Sequence, residues 1–372
     1  MADRRAIIVV GYSARALASS ASRAGFAPLS IDVFGDDDTT EMSYASVKLD
    51  GGLSDGLTLH KVASAVETLI SSYRPIGLVY GSGFEHQPET IAAIARMTRI
   101  FGNDAETLKR AKDPLALAGL CAAIGVPHPQ MALAPPGEPG LWLMKRRGAA
   151  GGAHIVAAAG SSAVSPDLYF QRRIVGKSIS ALFLASGKKA DIIGLSVQWT
   201  SPTPALPFRY GGAAGPVEIG PAKAKEIARS VASITSALGL VGLNSADFLV
   251  SADAAWLIEI NPRPGATLDV FEAEDGALFA HHLAACDGRL TPLMSGLPIR
   301  AAEVVYAPHE IVLRRERDWP HWVADRPPAG TRIAAGDPLC TTLASGATVD
   351  LARTCANERA RKIIAYVDEA ED

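Results

Sequence analysis

The sequence has no CxxC pair, no excess of basic charge, and no apolar run of the roughly 18 residues that a membrane-spanning helix needs. Its four cysteines, Cys121, Cys286, Cys340 and Cys355, lie far apart, so no metal or redox motif is present and reduced, mostly buried thiols are expected. A net charge of −3 gives no electrostatic footprint for nucleic acid or an anionic membrane. No internal repeat is visible, which sets aside solenoids and propellers. The opening Met1-Ala2-Asp3-Arg4-Arg5 leads only into a short apolar strand, not a secretory signal, so the expected compartment is the cytoplasm. What remains is an ordinary soluble balance, 48% hydrophobic and 20% charged, in 372 residues with room for two or three domains.

The chain opens as α/β. Ala6 to Val10 reads as a strand, Ala14 to Ala24 as a helix and Pro28 to Val33 as a second strand. A dinucleotide loop would place G-x-G-x-x-G after the first strand, whereas Gly11 is followed here by Tyr12, Ser13 and Ala14. Asp32 could imitate a ribose-binding acid, but the glycines it would need are missing. The triplet Asp36-Asp37-Asp38 reads as a solvated loop. A helix from Leu57 to Tyr73 leads to the strand Ile76 to Tyr80 and then to Gly81-Ser82-Gly83-Phe84-Glu85. Ligands of open parallel sheets sit beyond the carboxyl ends of strands, so Gly11 to Ser13 and Gly81 to Glu85 are candidate substrate loops, with plain turns as the alternative.

The densest chemistry lies in Ser245 to Gly265, SADFLVSADAAWLIEINPRPG. Two apolar strands, Ala246 to Val250 and Ala255 to Ile260, flank a small turn, which is hairpin syntax. A loop symmetric about Asp253 pairs Leu249 with Leu257 and Asp247 with Glu259, and period-two alternation adds Asn261 to their face. Phe248, Val250, Trp256, Ile258 and Ile260 are then the core face. Directly opposed like charges destabilise a strand pair, so something should compensate. Asp, Glu and Asn oxygens suit Mg²⁺, which typically takes one or two carboxylates plus substrate phosphates. The alternative is an exposed sheet face ending in an Asn-Pro turn.

The run Asp247…Glu259-Ile260-Asn261-Pro262-Arg263 resembles the metal-binding hairpin of the ATP-grasp superfamily, whose members include biotin carboxylase, D-alanine:D-alanine ligase and many carboxylate–amine ligases. The resemblance implies that Asp247, Glu259 and Asn261 hold Mg²⁺ (or Mn²⁺), that Arg263 faces the γ-phosphate or an acyl phosphate, and that Leu249 lies under the adenine of ATP. Leu141 to Lys145, followed by Gly148-Ala149-Ala150-Gly151-Gly152, resembles the phosphate-covering lid, with Lys145 as its point charge. His154 follows the glycines, with a structural role or a phosphate contact both open. Tyr169 to Ser178 resembles the interdomain hinge, so Gln171, Arg172, Arg173, Ile174 and Ser178 are expected around the nucleotide. Gln171 replaces the usual Glu, and Ser178 stands where many relatives carry a ribose-binding acid.

The family's "DK" preceding a linker helix appears here as Asp113-Pro114, with Lys112 or Lys109 as substitutes, on a helix expected from Lys109 to Leu120. His128 reads as a surface turn residue. Arg209, in Pro207-Phe208-Arg209-Tyr210-Gly211-Gly212, suits capture of a carboxylate, with a solvated Arg as the alternative. Gly265 and Ser82 are further substrate candidates. Adjacent His281 and His282 on a helix point about 100° apart and make poor joint ligands. Gly336 to Thr341 reads either as pocket lining or as a turn with a buried Cys. Pro135, Pro136, Gly137, Pro139 and Gly140 mark a loop.

The resulting expectation is an ATP-grasp fold of α/β and α+β character. It comprises a Rossmann-like domain over 1–102, an ATP-grasp domain over 103–294 with its lid at about 140–180, and a small C-terminal α+β domain over 295–372. The implied activity is ADP-forming ligation: a carboxylate is activated as an acyl phosphate and coupled to an amine. The alternatives are a nucleotide-binding protein without turnover and an ATP-dependent carboxylase or phosphotransferase. The expected partners are small acid and amine substrates, with a homodimer as a candidate assembly. The C-terminal texture also resembles ATP-grasp carboligases associated with tetrahydromethanopterin or methanofuran one-carbon carrier biosynthesis.

Overall fold

The computed structural model describes residues 4–51, 56–134, 136–138, 140–158, 165–291 and 296–369. Pro135, Pro139, part of the lid and the expected boundary at 294/295 lie outside them.

Four parallel strands form the first sheet, in the order Ala45–Lys48, Ala27–Asp32, Ala6–Val10, Leu78–Tyr80. Ile7 to Val10 are fully buried, as expected for strands covered on both faces. The acidic triplet departs from expectation. Asp37–Met42 is a helix, and Asp36 and Asp38 are only 4% and 8% exposed. Asp38 is drawn in because its carboxylate accepts the Asp325 and Arg326 N–H groups, each at 2.9 Å, from a loop near the other end of the chain. Asp32 is buried too, accepting from Gly35 N at 2.9 Å and Ala14 N at 3.4 Å, so it braces the turn and faces no ribose.

The expected single helix from Lys109 to Leu120 is two, Ala105–Lys112 and Pro114–Ile124. Pro114 lacks an N–H and pushes the preceding residue out of the helical region. Asp113 sits at ψ 115° and caps the second helix through Leu115 N and Ala116 N. This break fixes where Lys112 ends up.

A second, eight-stranded sheet runs Ala255–Asn261, Val241–Val250, Lys177–Ser186, Ala190–Thr200, Tyr210–Gly215, Arg300–Tyr306, Pro338–Ser345, Val323–Ala324. Three strands after residue 296 thus extend the sheet that carries the metal-type hairpin, while Ile311–Val312 and Arg332–Ile333 pair with each other in a separate two-stranded sheet. One face packs under the long helix Pro221–Leu238, through Ile227, Val231, Ile234, Phe183, Phe248 and Leu257. The other face meets the N-terminal unit through Leu182, Leu184, Phe271 and Phe279, with Ala18 and Phe26 opposite. A smaller antiparallel sheet, Met131–Ala132, Leu168–Arg172, Trp142–Arg146, Val156–Ala157, forms the lid. No helix among the described residues is long and apolar enough to cross a membrane. The four cysteines are free, Cys121 and Cys340 being buried.

Candidate active site

The hairpin pairs Asp247 with Glu259, but toward its tip Phe248 pairs with Leu257, Leu249 with Trp256 and Val250 with Ala255. Ile258 is therefore the extra residue of a β-bulge, and the alternation beyond it shifts by one. Leu257 and Phe248 are buried, whereas Trp256 and Ile258, expected in the core, are not. The bulge puts Ile258 beside Leu249 in the lining of a cleft of about 650 Å³ between lid and hairpin. Asp247, Glu259, Lys112, Lys145 and Ser178 line the same cleft.

Within it the two carboxylates are joined by an ordered polar chain. Gln198 Nε2 donates to Asp247 Oδ1 at 3.2 Å, and Asn261 Nδ2 donates to Asp247 Oδ2 at 3.0 Å. Lys112 Nζ donates to Asn261 Oδ1 at 2.9 Å, to the Ile260 carbonyl at 3.2 Å, and to the Glu259 carboxylate. Lys112, on the helix that stops at Pro114, is the compensating charge that the opposed acids require. Burial, then repulsion from Glu259, pushes the Asp247 carboxyl up. Burial would do the same to Glu259, but Lys112, with Lys145 and Arg263, holds that carboxyl below its ordinary value. Two carboxylates and a carboxamide are a hard-oxygen donor set that fits Mg²⁺ bound together with phosphates. Among the described residues no cluster of three or more His, Cys, Asp or Glu offers an all-protein metal cage.

Lys145 is only 5% exposed, and burial lowers its ammonium to about 8 against the pull of Glu259 and Asp247. The lid glycines are held by close contacts. At Gly148 (φ 67°) a Cβ would lie 2.6 Å from His86 Cβ, and at Gly152 (φ 73°) it would lie 2.0 Å from the Phe208 carbonyl oxygen. Gly151 accepts from Tyr210 N at 2.9 Å. The lid is thus docked on the N-terminal unit and on the 208–210 loop. His154 lines the cleft with its Nδ1 buried and unpartnered, and burial holds the ring neutral, at about 4. His128, expected in a surface turn, also lines the cleft, bonded to the Pro129 carbonyl at 2.8 Å.

At the hinge Gln171 is buried, and Gln171, Arg173, Ile174 and Ser178 face the cleft. Arg172 does not: its N–H donates to the Gln130 carbonyl at 2.8 Å and its guanidinium meets Glu138 at 3.7 Å. Arg209 is likewise not among the cleft residues. It is buried over the Tyr306 ring at 3.6 Å and donates to the Ser201 and Gly336 carbonyls, at 3.0 and 3.1 Å, so its donors are already engaged. His282 is buried between Leu243 N and the Phe101 carbonyl, a core role.

Arg263 is buried against Glu85 of the Gly81–Glu85 loop, at 2.8 Å. Burial would raise the Glu85 carboxyl, but Arg263, then Lys112 and the Gly83 N–H, hold it at about 2. A Cβ on Gly265 would lie 2.5 Å from the Arg263 guanidinium. Gly265 and Ser82 line a second cavity of about 430 Å³, separated from the first by Tyr210, which lines both. Sequence reasoning missed Gln198, Trp199 and Arg353 of the helix Val349–Glu369, whose guanidinium stacks on Trp199 at 4.7 Å in the cleft wall. Their one signal is the alternation of Gln198 and Thr200 along a strand.

Residues 116–267 match the family model of an ATP-grasp domain. The chain carries an ATP-grasp domain. Solved structures share the fold over nearly the whole chain. N5-carboxyaminoimidazole ribonucleotide synthetase from Thermotoga maritima superposes at TM-score 0.68 with 13% identity, covering 96% of this chain and 98% of that one. L-amino acid ligase from Bacillus licheniformis does so at 0.66 with 13% identity, over 96% and 97%. The biotin carboxylase domain dimer of Hydrogenobacter thermophilus 2-oxoglutarate carboxylase, solved with MgADP, ADP and bicarbonate, does so at 0.69 with 11% identity, over 93% and 87%. No curated protein sequence matches the chain.

Proposed function

We propose that this protein is an ATP- and Mg²⁺-dependent, ADP-forming ligase that activates a carboxylate and couples it to an amine. The single observation that carries the reading is the convergence of Asp247, Glu259, Lys112 and Lys145 on one nucleotide-sized cleft, with Asn261 hydrogen-bonded to both Asp247 and Lys112. Leu249 and Ile258 provide the apolar floor for a base, and Gln171, Arg173 and Ile174 its edge. Lys145 supplies positive charge for the phosphates from a position where burial strengthens it. When bound, Mg²⁺ neutralises phosphate charge and fixes its geometry; Asp247, Glu259 and Asn261 would hold it, with Lys112 yielding the shared oxygens of Glu259 and Asn261. Arg263, held by Glu85 on a segment stiffened by Pro262 and Pro264, meets the charge on the transferring phosphoryl group. The lid glycines keep the cover low enough to exclude water.

A division at 1–102, 103–294 and 295–372, a cytoplasmic location and a homodimer belong to the same proposal. So does a narrower role in one-carbon carrier biosynthesis, resting on the C-terminal texture alone. The test is ADP release from the full chain with MgATP and a panel of amino acids and of pterin and furan acids and amines. ADP release that depends on both an acid and an amine, with an amide product, supports a ligase. Nucleotide binding without ADP release from any pair identifies a silent binder, and release with bicarbonate alone identifies a carboxylase.

A further inference from the structure

The second cavity lies between the N-terminal sheet, the segment leaving the hairpin and the C-terminal strands. Its walls are largely apolar, with Leu17, Val33, Leu268, Val304, Ile333 and Leu339. Its buried cation is fully engaged: Arg15 donates to Asp269 at 2.5 and 2.6 Å and to Asp325 at 3.1 Å from both Nε and Nη2, with Asp38 at 4.0 Å. Asp325 keeps this contact from a left-handed backbone, φ 55°, that non-glycine residues seldom adopt. Arg332 is paired with Glu310 at 2.5 Å and mostly exposed, and Lys48 stands exposed at the rim.

Asp36 is the exception in this wall. It is 4% exposed and lines the cavity, yet no described residue donates a hydrogen bond to its carboxyl. Burial, then Asp325, Asp32 and Asp38, push that carboxyl up to about 8, with Arg15 opposing. The cavity therefore combines an apolar body with a deficit of hydrogen-bond donors and positive charge at one buried point. A carboxylate ligand would find Arg15 already saturated and would add to the surrounding negative charge.

We infer that this cavity binds an amine with an apolar body, its nitrogen donating to the Asp36 carboxyl and its body lying on Val304, Ile333 and Leu339. That the amine is the acceptor in ligation rests on the function proposed above; that the cavity binds amines does not. The C-terminal residues 325–341, on this account, select the substrate of a site whose phosphate chemistry lies across Tyr210.

The test is calorimetry on the full chain at pH 7.5, without nucleotide, using phenethylamine and the similarly sized carboxylate 3-phenylpropionate. The amine is expected to bind at least about tenfold more tightly than the acid. Asp36→Asn is expected to weaken amine binding at least about tenfold, with MgADP affinity unchanged within about twofold as a check on the fold. Val304→Phe, which narrows the cavity without touching charge, is expected to weaken the amine similarly. Equal or tighter binding of the carboxylate, no amine binding to the unmodified protein, or Asp36→Asn without effect would each overturn the inference. Failure of ADP release in the acid–amine panel would overturn the ligase reading and leave this one standing.

Discussion

The Arg263 guanidinium and the Glu85 carboxylate meet at 2.8 Å, both buried, and join the end of the hairpin to a loop of the first sheet. Breaking a buried pair by removing one member typically costs about 3–5 kcal/mol, because a charge is left without compensation. Arg263→Met should therefore destabilise the protein by about that amount in chemical denaturation.

Arg263→Lys separates catalysis from folding. Lysine keeps the charge beside Glu85 but not the planar fork. Nucleotide affinity should stay within a few-fold while ADP release falls at least about 100-fold, since the lost contact is made chiefly in the transition state. Calorimetry and ADP release read the two effects, and equal turnover would remove Arg263 from the chemistry. The pair also has an acid-side signature. The depressed Glu85 carboxyl contributes stability that is present above its ordinary value near 4.5 and is lost as pH falls through about 2. Arg263→Met should lack that part of the acid slope.

Lys112 and a metal compete for the same oxygens of Glu259 and Asn261. With Lys112→Met, Asp247 and Glu259 lose the nearest cation that compensates them, so thermal stability should fall in chelator and be regained with Mg²⁺. The Mg²⁺-induced rise in Tm should be several degrees larger for the variant than for the unmodified protein. Equal rises would mean that the metal, if it binds, lies elsewhere.

The burial of Lys145 gives it a signature in stability as well as in binding. Its ammonium falls to about 8 in the folded state against 10.5 ordinarily, so the unfolded chain binds more protons between those values. Stability contributed by this group therefore rises as pH climbs from about 8 toward 10.5. Lys145→Met should abolish that rise and weaken ATP binding at least about tenfold at pH 7. Unchanged ATP affinity would count against a phosphate contact.

Gly152→Ala tests the docked lid. The added methyl group would stand 2.0 Å from the Phe208 carbonyl oxygen, from a backbone with φ 73°. The lid should lift from the 208–210 loop, lowering nucleotide affinity about tenfold or more while global Tm shifts by only a few degrees. Faster proteolysis within the lid should accompany the loss, and unaltered affinity would show that the lid closes without this contact.

The hairpin was legible because two apolar runs, opposed acids and a following Asn-Pro-Arg form a local pattern, and the expected Asp247–Glu259 pairing holds although the turn itself pairs Val250 with Ala255. The bulge at Ile258 was not legible, since an extra residue leaves no mark in composition and reverses Leu257 and Trp256. The misreadings share a physical cause. Asp36, Asp38 and Arg209 look solvated by their type and neighbours, but their surroundings come from residues more than a hundred positions away. Lys112 became interpretable only once Pro114 was seen to stop its helix and leave the ammonium at the hairpin.

The eight-stranded sheet is completed by residues 300–306 and 338–345, which add to the Tyr210–Gly215 strand. During synthesis that strand, rich in glycine and alanine, would wait with one row of amides unmet until nearly the whole chain had emerged. An unpaired edge invites association with other chains. The sheet therefore cannot mature one segment at a time behind the ribosome. A chain ending near residue 296 would expose a sticky border instead of releasing a self-sufficient catalytic half.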